Sequence, residues 1–148
     1  MTSGTWVLLA ALVLATAFGV WRSARDGRFR GAQEEARMPE QPGPDESAGA
    51  GLDGLGERAT LLQFSSAFCA PCRATRRVLG EVAEVVPGVT HVEVDAEEHL
   101  DLTRRLGILR TPTTLVLDAA GREISRASGA PSRDSVLVTL SRALDAPA

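Results

Sequence analysis

The chain has 148 residues, enough for one compact domain of ordinary size plus an appendage. Apolar residues make up 44% and charged residues 24%, which excludes global disorder, and a net charge of −3 gives no general footing for nucleic acid. Two cysteines are too few for a disulfide-stapled miniprotein or a four-thiolate zinc site, and with every basic residue an arginine, lysine chemistry is excluded as well.

Residues 1–21 carry no charged side chain, and Trp6 to Trp21 is a near-continuous apolar run. Together with the uncharged Thr2–Thr5 it reaches roughly 30 Å as a helix, the thickness of a bilayer core, with a tryptophan toward each interface. The sequence therefore predicts one transmembrane anchor over residues 1–22, meeting the membrane through residues 5–21. A cleaved signal peptide is the alternative. Ala15-Thr16-Ala17 resembles a cleavage site, but no basic leader precedes it. A core helix lacks a following partner element, and a helix lying on the bilayer lacks a polar face. Arg22, Arg25, Arg28 and Arg30 follow the run, so the positive-inside rule places the rest of the chain in the cytoplasm, with the extracytoplasmic orientation as the alternative.

Residues 23–57 read as a tether. Met38 to Pro44 is proline-rich and Asp45 to Gly56 glycine-rich, and neither can bury a core; a short helix near Leu52–Glu57 is weakly signalled. Residues 58–148 then read as the folded domain. Thr60-Leu61-Leu62-Gln63-Phe64 has strand length, and residues 70–86 carry a helical stripe of Val78, Leu79, Val82, Val85 and Val86. Val89 to Val94 alternates as a strand, with His91 and Glu93 opposite Val92 and Val94. Asp95 and Glu98 form a possible capping box for a helix bearing Leu100, Leu102 and Leu106, ended by Gly107. Thr113 to Leu117 and Glu123 to Ala127 read as a hairpin about Asp118-Ala119-Ala120-Gly121, and a last helix starts at Pro131-Ser132. The order β-α-β-α-β-β-α predicts an α/β fold: a mixed sheet of about four strands with helices on both faces.

Cys69-Ala70-Pro71-Cys72 follows the first strand and opens the first long helix. A thiol there meets free N–H groups and the positive end of the helix dipole, so Cys69 is expected to ionise below its free value of about 8.5. Pro71 fits the first turn because its missing N–H has no role there, and Arg73, Arg76 and Arg77 add positive charge that favours a thiolate. Cys72, one turn on, can attack a mixed disulfide formed at Cys69. A structural bridge and a zinc half-site are the competing readings. The bridge would close too small a ring to stabilise much, and His91 and His99 are poorly placed as further ligands. No metal site and no cofactor are expected.

Several separated landmarks carry a family resemblance. Phe64-Ser65-Ser66-Ala67-Phe68-Cys69-Ala70-Pro71-Cys72-Arg73, Val92-Glu93-Val94-Asp95, Leu106 to Thr113, Asp118 to Gly121 and Ser128-Gly129-Ala130 together resemble the thioredoxin family in order and spacing over about residues 58–145. The resemblance implies a thioredoxin-like fold, with Cys69 as the exposed nucleophile and Cys72 as the buried resolving thiol. It implies that Pro112 is a cis-proline beside them, that Thr111 offers its backbone to an extended substrate, and that Gly129 lines the same groove. It further implies a thiol–disulfide oxidoreductase that takes disulfide-containing protein substrates and draws on an electron donor the sequence does not identify. The family's first strand and helix have no clear counterpart, so the domain is either trimmed or begins within the tether.

The departures concern the surroundings of the cysteines. Gln63 stands where the family has a buried acid, and an amide can hydrogen-bond but cannot act as a general base. The family's lysine on the neighbouring strand falls at about His91, its tryptophan before the first cysteine is Phe68, and Ser65 and Ser66 replace bulkier residues. Only Pro87-Gly88 separates the first long helix from the next strand, which disfavours the cytochrome-maturation relatives with their long insertion there. The two-residue spacing of the cysteines disfavours the copper-delivery relatives. A fold that binds a membrane-proximal partner without turnover is the alternative function.

Overall fold

A computed structural model describes residues 3–25, 27–31, 48–49 and 52–145. Its elements in chain order are α1 (Ser3–Arg25), β1 (Phe29–Gly31), β2 (Ala59–Ser65), α2 (Ala70–Val85), β3 (Val89–Asp95), α3 (Leu100–Arg105), β4 (Thr113–Asp118), β5 (Glu123–Ser128) and α4 (Arg133–Asp145). The sheet order is β1-β5-β4-β2-β3. β2 and β3 are parallel, joined by the α2 crossover, while β4 runs antiparallel to β2 and forms a hairpin with β5. These four strands and their helices are the expected thioredoxin-like α/β arrangement.

All seven residues of β2 are buried because the strand is central and covered on both faces. Alternation sorts its side chains. Leu62 and Phe64 join Val94, Leu106, Ile108, Leu115 and Leu117 in one apolar cluster. Ala59 and Leu61 join Leu79, Val82, Val116, Val136 and Leu140 in the other, beneath α2 and α4. Gln63 and Ser65 continue that second face to the carboxyl end of β2, where its alternation turns from apolar to polar and where open α/β sheets place their sites.

Several expectations are corrected. The membrane-spanning anchor is not upheld: among the described residues, no helix is long and apolar enough to cross a membrane. The apolar stretch Trp6–Trp21 gives roughly 24 Å at about 1.5 Å per residue, short of a core of about 30 Å. The remaining length rested on Thr2–Thr5, which is uncharged but polar, so the single-pass location and its cytoplasmic orientation fall with the anchor. The capping box at Asp95 does not form either. Asp95 ends β3 and its Oδ1 accepts from the Glu97 N–H at 2.8 Å, a local turn, and α3 starts later, after His99, with no side-chain cap. Gly107 does occupy the left-handed position past α3, at φ +61°, its N–H donating to the Arg104 carbonyl at 3.1 Å. Residues 52–57 form no helix, and Val85 points to solvent at the end of α2. The proline-rich run from Met38 to Pro44 lies outside the described residues.

The stretch expected as a tether also contributes β1, which pairs antiparallel with β5 from Phe29↔Ala127 to Gly31↔Ser125. Phe29 packs against the cluster under α2 and α4. Gly27 enters this strand at φ +75° and donates its N–H to the Ser128 carbonyl at 2.8 Å. A Cβ there would lie 2.1 Å from the Ala130 carbonyl oxygen, so no other residue fits. Phe29→Ala is expected to cost about 1–2 kcal/mol, less than a fully buried phenylalanine because the ring is only half-buried. In a thermal melt that lowers Tm by roughly 5–15 °C. An unchanged Tm would mean that β1 carries none of the stability of the sheet.

Candidate active site

Cys69 and Cys72 are joined by a disulfide with their Cα atoms 5.2 Å apart. Cys69 is the N-cap of α2 in extended backbone (φ −91°, ψ 96°), and the Cys72 N–H donates to its Sγ at 3.1 Å. Cys72, one turn in, is buried, while Cys69 is half-buried at the surface. Pro71 lies in the exposed first turn, where it leaves no helix hydrogen bond unmade. Arg73 is exposed beside the pair and has no ion-pair partner among the described residues.

A second loop is brought against the first. The Thr111–Pro112 peptide bond is cis. The Thr111 Oγ1 lies 3.0 Å from the Ser66 Oγ, which ties the segment before β4 to the loop before the cysteines. Gly129 follows β5 and donates its N–H to the Pro112 carbonyl at 2.7 Å. Phe68 and Leu109, at 100% and 92% exposure, stand apolar and uncovered on these same two loops.

Beneath the disulfide runs a chain of polar groups with a fixed direction. Gln63 is fully buried; its Nε2 donates to the Cys72 carbonyl at 3.0 Å and to the Ser65 Oγ at 2.7 Å. Both amide hydrogens being used, its Oε1 must accept, which makes the His91 Nε2, 3.1 Å away, the donor. Ser65 passes its own hydrogen on to Glu93 Oε1 at 2.5 Å, and Arg76 of α2 donates to the same oxygen at 2.7 Å. The chain thus begins at His91 and ends on a carboxylate held by a guanidinium.

A family model described as Thioredoxin matches residues 54–142, more than half of the chain. The chain belongs to the thioredoxin family. Curated thioredoxins from Chlamydia trachomatis and Alicyclobacillus acidocaldarius are similar at 28% and 31% identity over 90 residues, covering 61% and 60% of this chain and 87% and 85% of theirs. Among solved structures, spinach chloroplast thioredoxin F is 26% identical with a TM-score of 0.53, over 60% of this chain and 78% of that one. A mutant thioredoxin from Halobacterium salinarum, at 18% identity and a TM-score of 0.57 over 62% and 80% of the two chains, shares the fold. Family, relatives and structure together make this chain a thiol–disulfide oxidoreductase.

The site residues read from the sequence thus come together from the head of α2, with Cys69, Pro71, Cys72 and Arg73, and from the loop before β4, with Thr111 and Pro112, to which Gly129 is bonded. Sequence reading singled out Gln63 and His91 as substitutions but missed Ser65, Glu93 and Arg76 as their partners. The available signal was the strand period: residues 63 and 65 share a face of β2, 91 and 93 share a face of β3, and the parallel register sets Gln63 opposite Glu93.

The chain also sets a pH dependence. Burial lowers the His91 pKa from its ordinary value of about 6.5, an effect only partly offset by the charge of Glu93. For Glu93, partial burial pushes upward, but the hydrogen bonds from Arg76 and Ser65 and the charge of Arg76 outweigh it, so its pKa falls below the carboxylate norm. Both folded values are depressed, so both groups stabilise the fold above their unfolded pKa and lose that contribution as pH falls. Stability is expected to decline as pH drops below about 6.5 from His91, and again below about 4.5 from Glu93. His91→Gln should flatten the first decline in urea midpoints measured between pH 7 and 5; an unaltered slope would remove His91 as its source.

Proposed function

We propose that this protein reduces or exchanges disulfides in protein substrates through Cys69 and Cys72. The supporting observation is the sulfur pair at the N-terminus of α2, with one sulfur at the surface and the other buried, beside the cis-Pro112 loop. In the reduced protein the N–H groups of the first turn, including that of Cys72, favour a Cys69 thiolate, and Pro71 and Arg73 help to keep this end of the helix electropositive. The Cys69 thiolate attacks one sulfur of the substrate disulfide, and the other leaves as a thiolate that takes up a proton. Cys72, losing its proton, then attacks Cys69 Sγ; the second substrate sulfur leaves, and two electrons have passed from the cysteines to the substrate. Thr111, Pro112 and Gly129 form the groove in which an extended substrate segment pairs with backbone. An external dithiol restores the reduced pair.

Turbidity from insulin reduction, with full-length protein and dithiothreitol, tests this. The expected result is acceleration well above dithiothreitol alone. No acceleration would favour the alternative, a thioredoxin fold that binds its partner without turnover, a reading motivated by the amide at Gln63.

A further inference from the structure

β3 forms one edge of the sheet, and no strand among the described residues pairs with its outer side. The opposite edge is closed, because β1 lies along β5. β3 runs for seven residues in unbroken register, with β-branched side chains at Val89, Thr90, Val92 and Val94 and no proline or bulge. Folds usually guard so long and regular an edge. Its acids offer little guard, since Glu93 is paired with Arg76 and the Asp95 carboxylate accepts from the Glu97 N–H.

The hydrogen bonds show which backbone groups on this edge are free. In a parallel pair, alternate residues point both of their backbone groups at the neighbouring strand. The Ala96 N–H donates to the Ser65 carbonyl at 2.8 Å, so residues 90, 92 and 94 face β2 while residues 89, 91, 93 and 95 face outward. Two of the outward groups are already used: the Val89 N–H donates to the Val86 carbonyl, and the Asp95 carbonyl accepts from the His99 N–H. The N–H groups of His91, Glu93 and Asp95 and the carbonyls of Val89, His91 and Glu93 have no partner among the described residues.

This set is complementary to itself. With a two-fold axis at Val92 and the two strands antiparallel, His91 and the partner's Glu93 exchange both backbone bonds, and the Asp95 N–H donates to the partner's Val89 carbonyl. Every free group is then matched, and the two used groups fall opposite each other at the strand ends. Moving the axis to His91 carries the Asp95 N–H past the facing strand; moving it to Glu93 aims the His91 N–H at the used Asp95 carbonyl. The side chains agree with the Val92 axis. His91 lies beside the partner's Glu93, a donor beside a carboxylate, and Val92 meets its own copy.

We propose that two copies of this chain associate through β3, joining their sheets edge to edge about a two-fold axis at Val92. The occupant is a second copy and not residues 32–47, whose Pro39, Pro42 and Pro44 and lack of any β-branched residue suit no strand of this length.

Sedimentation of the full-length protein between about 1 and 500 µM should show a mass rising from that of one chain toward that of two. The association is weak because one strand from each copy buries less than the roughly 1,600 Å² of a standard interface. Thr90→Lys, at a half-buried position opposite the partner's Val94, should raise the concentration of half-association about tenfold. Cross-linking tests the register in full-length protein carrying Cys69→Ser and Cys72→Ser. Val92→Cys should oxidise to a linked dimer about tenfold faster than Thr90→Cys, because residue 92 faces its own copy at about 4.5 Å between Cα atoms and residue 90 lies roughly 14 Å from its own. A mass of one chain at every concentration, a rise in mass unmoved by Thr90→Lys, or equal cross-linking at the two positions would overturn the proposal. Slow amide exchange at His91, Glu93 and Asp95 in a protein that stays a single chain would overturn it too, and would assign the edge to residues 32–47.

Discussion

Replacing Cys72 with serine is expected to turn a catalyst into a trap. Cys69 keeps its place at the head of α2, so it still attacks a substrate disulfide, but nothing one turn away can displace what it has captured. Cys72→Ser should accumulate mixed disulfides, seen as high-mass bands on non-reducing gels that vanish with dithiothreitol. Cys69→Ser should trap none, because the remaining sulfur is 2% exposed and cannot reach an external disulfide. Both variants should lose insulin reduction down to the level of the reductant alone. The expected asymmetry follows from burial: of two sulfurs three residues apart, α2 presents one to solvent and packs the other against β2. Equal trapping by both variants would show that the assigned order of attack is wrong.

How much of this could be read in advance depends on how local each determinant is. β2 announces itself as an apolar run of strand length, β3 by alternation, the β4–β5 hairpin by the turn at Asp118–Gly121, and the cysteine pair by its place between a strand and a helix. β1 is three residues long, below any period, and becomes a strand only because β5 offers it an edge and the core a seat for Phe29. The capping box failed because Asp95 had two local partners in competition. Its carboxylate closes a turn onto the Glu97 N–H, and that turn delays the helix to Leu100. The polar chain below the disulfide was half legible. Gln63 and His91 were visible as unusual residues, but the links through Ser65 and Glu93 depend on the register of β2 against β3, which one strand alone does not carry.

Gln63 is where the chain is most sensitive, and two substitutions separate its geometry from its neutrality. Gln63→Leu keeps the volume and removes every bond, leaving the His91 N–H without its acceptor and β2 untied from the Cys72 carbonyl. With the side chain fully buried, the expected cost is about 2–4 kcal/mol, or roughly 10–25 °C in Tm. Gln63→Glu is more informative. Where the amide nitrogen donates to the Cys72 carbonyl, a carboxylate would set oxygen against oxygen in a site without water access. Only the protonated acid reproduces the donor, so burial and this contact raise its folded pKa above the unfolded value of about 4.3. A group with a raised folded pKa stabilises the fold below its unfolded pKa and loses that contribution as pH rises through the folded one. Relative to the unsubstituted chain, Gln63→Glu should therefore come closest in stability near pH 4, lacking there only the bond to Ser65 that a single O–H cannot also make, about 1 kcal/mol. It should fall progressively further behind above that pH, by about 4 kcal/mol more at pH 8 for a shift of about three units. The unsubstituted chain has the opposite slope, because His91 and Glu93 cost it stability on acidification. Urea titrations of both proteins from pH 4 to 8 should diverge toward the alkaline end; parallel curves would mean that Gln63 is not held in the dry, donor-requiring site that its three hydrogen bonds describe.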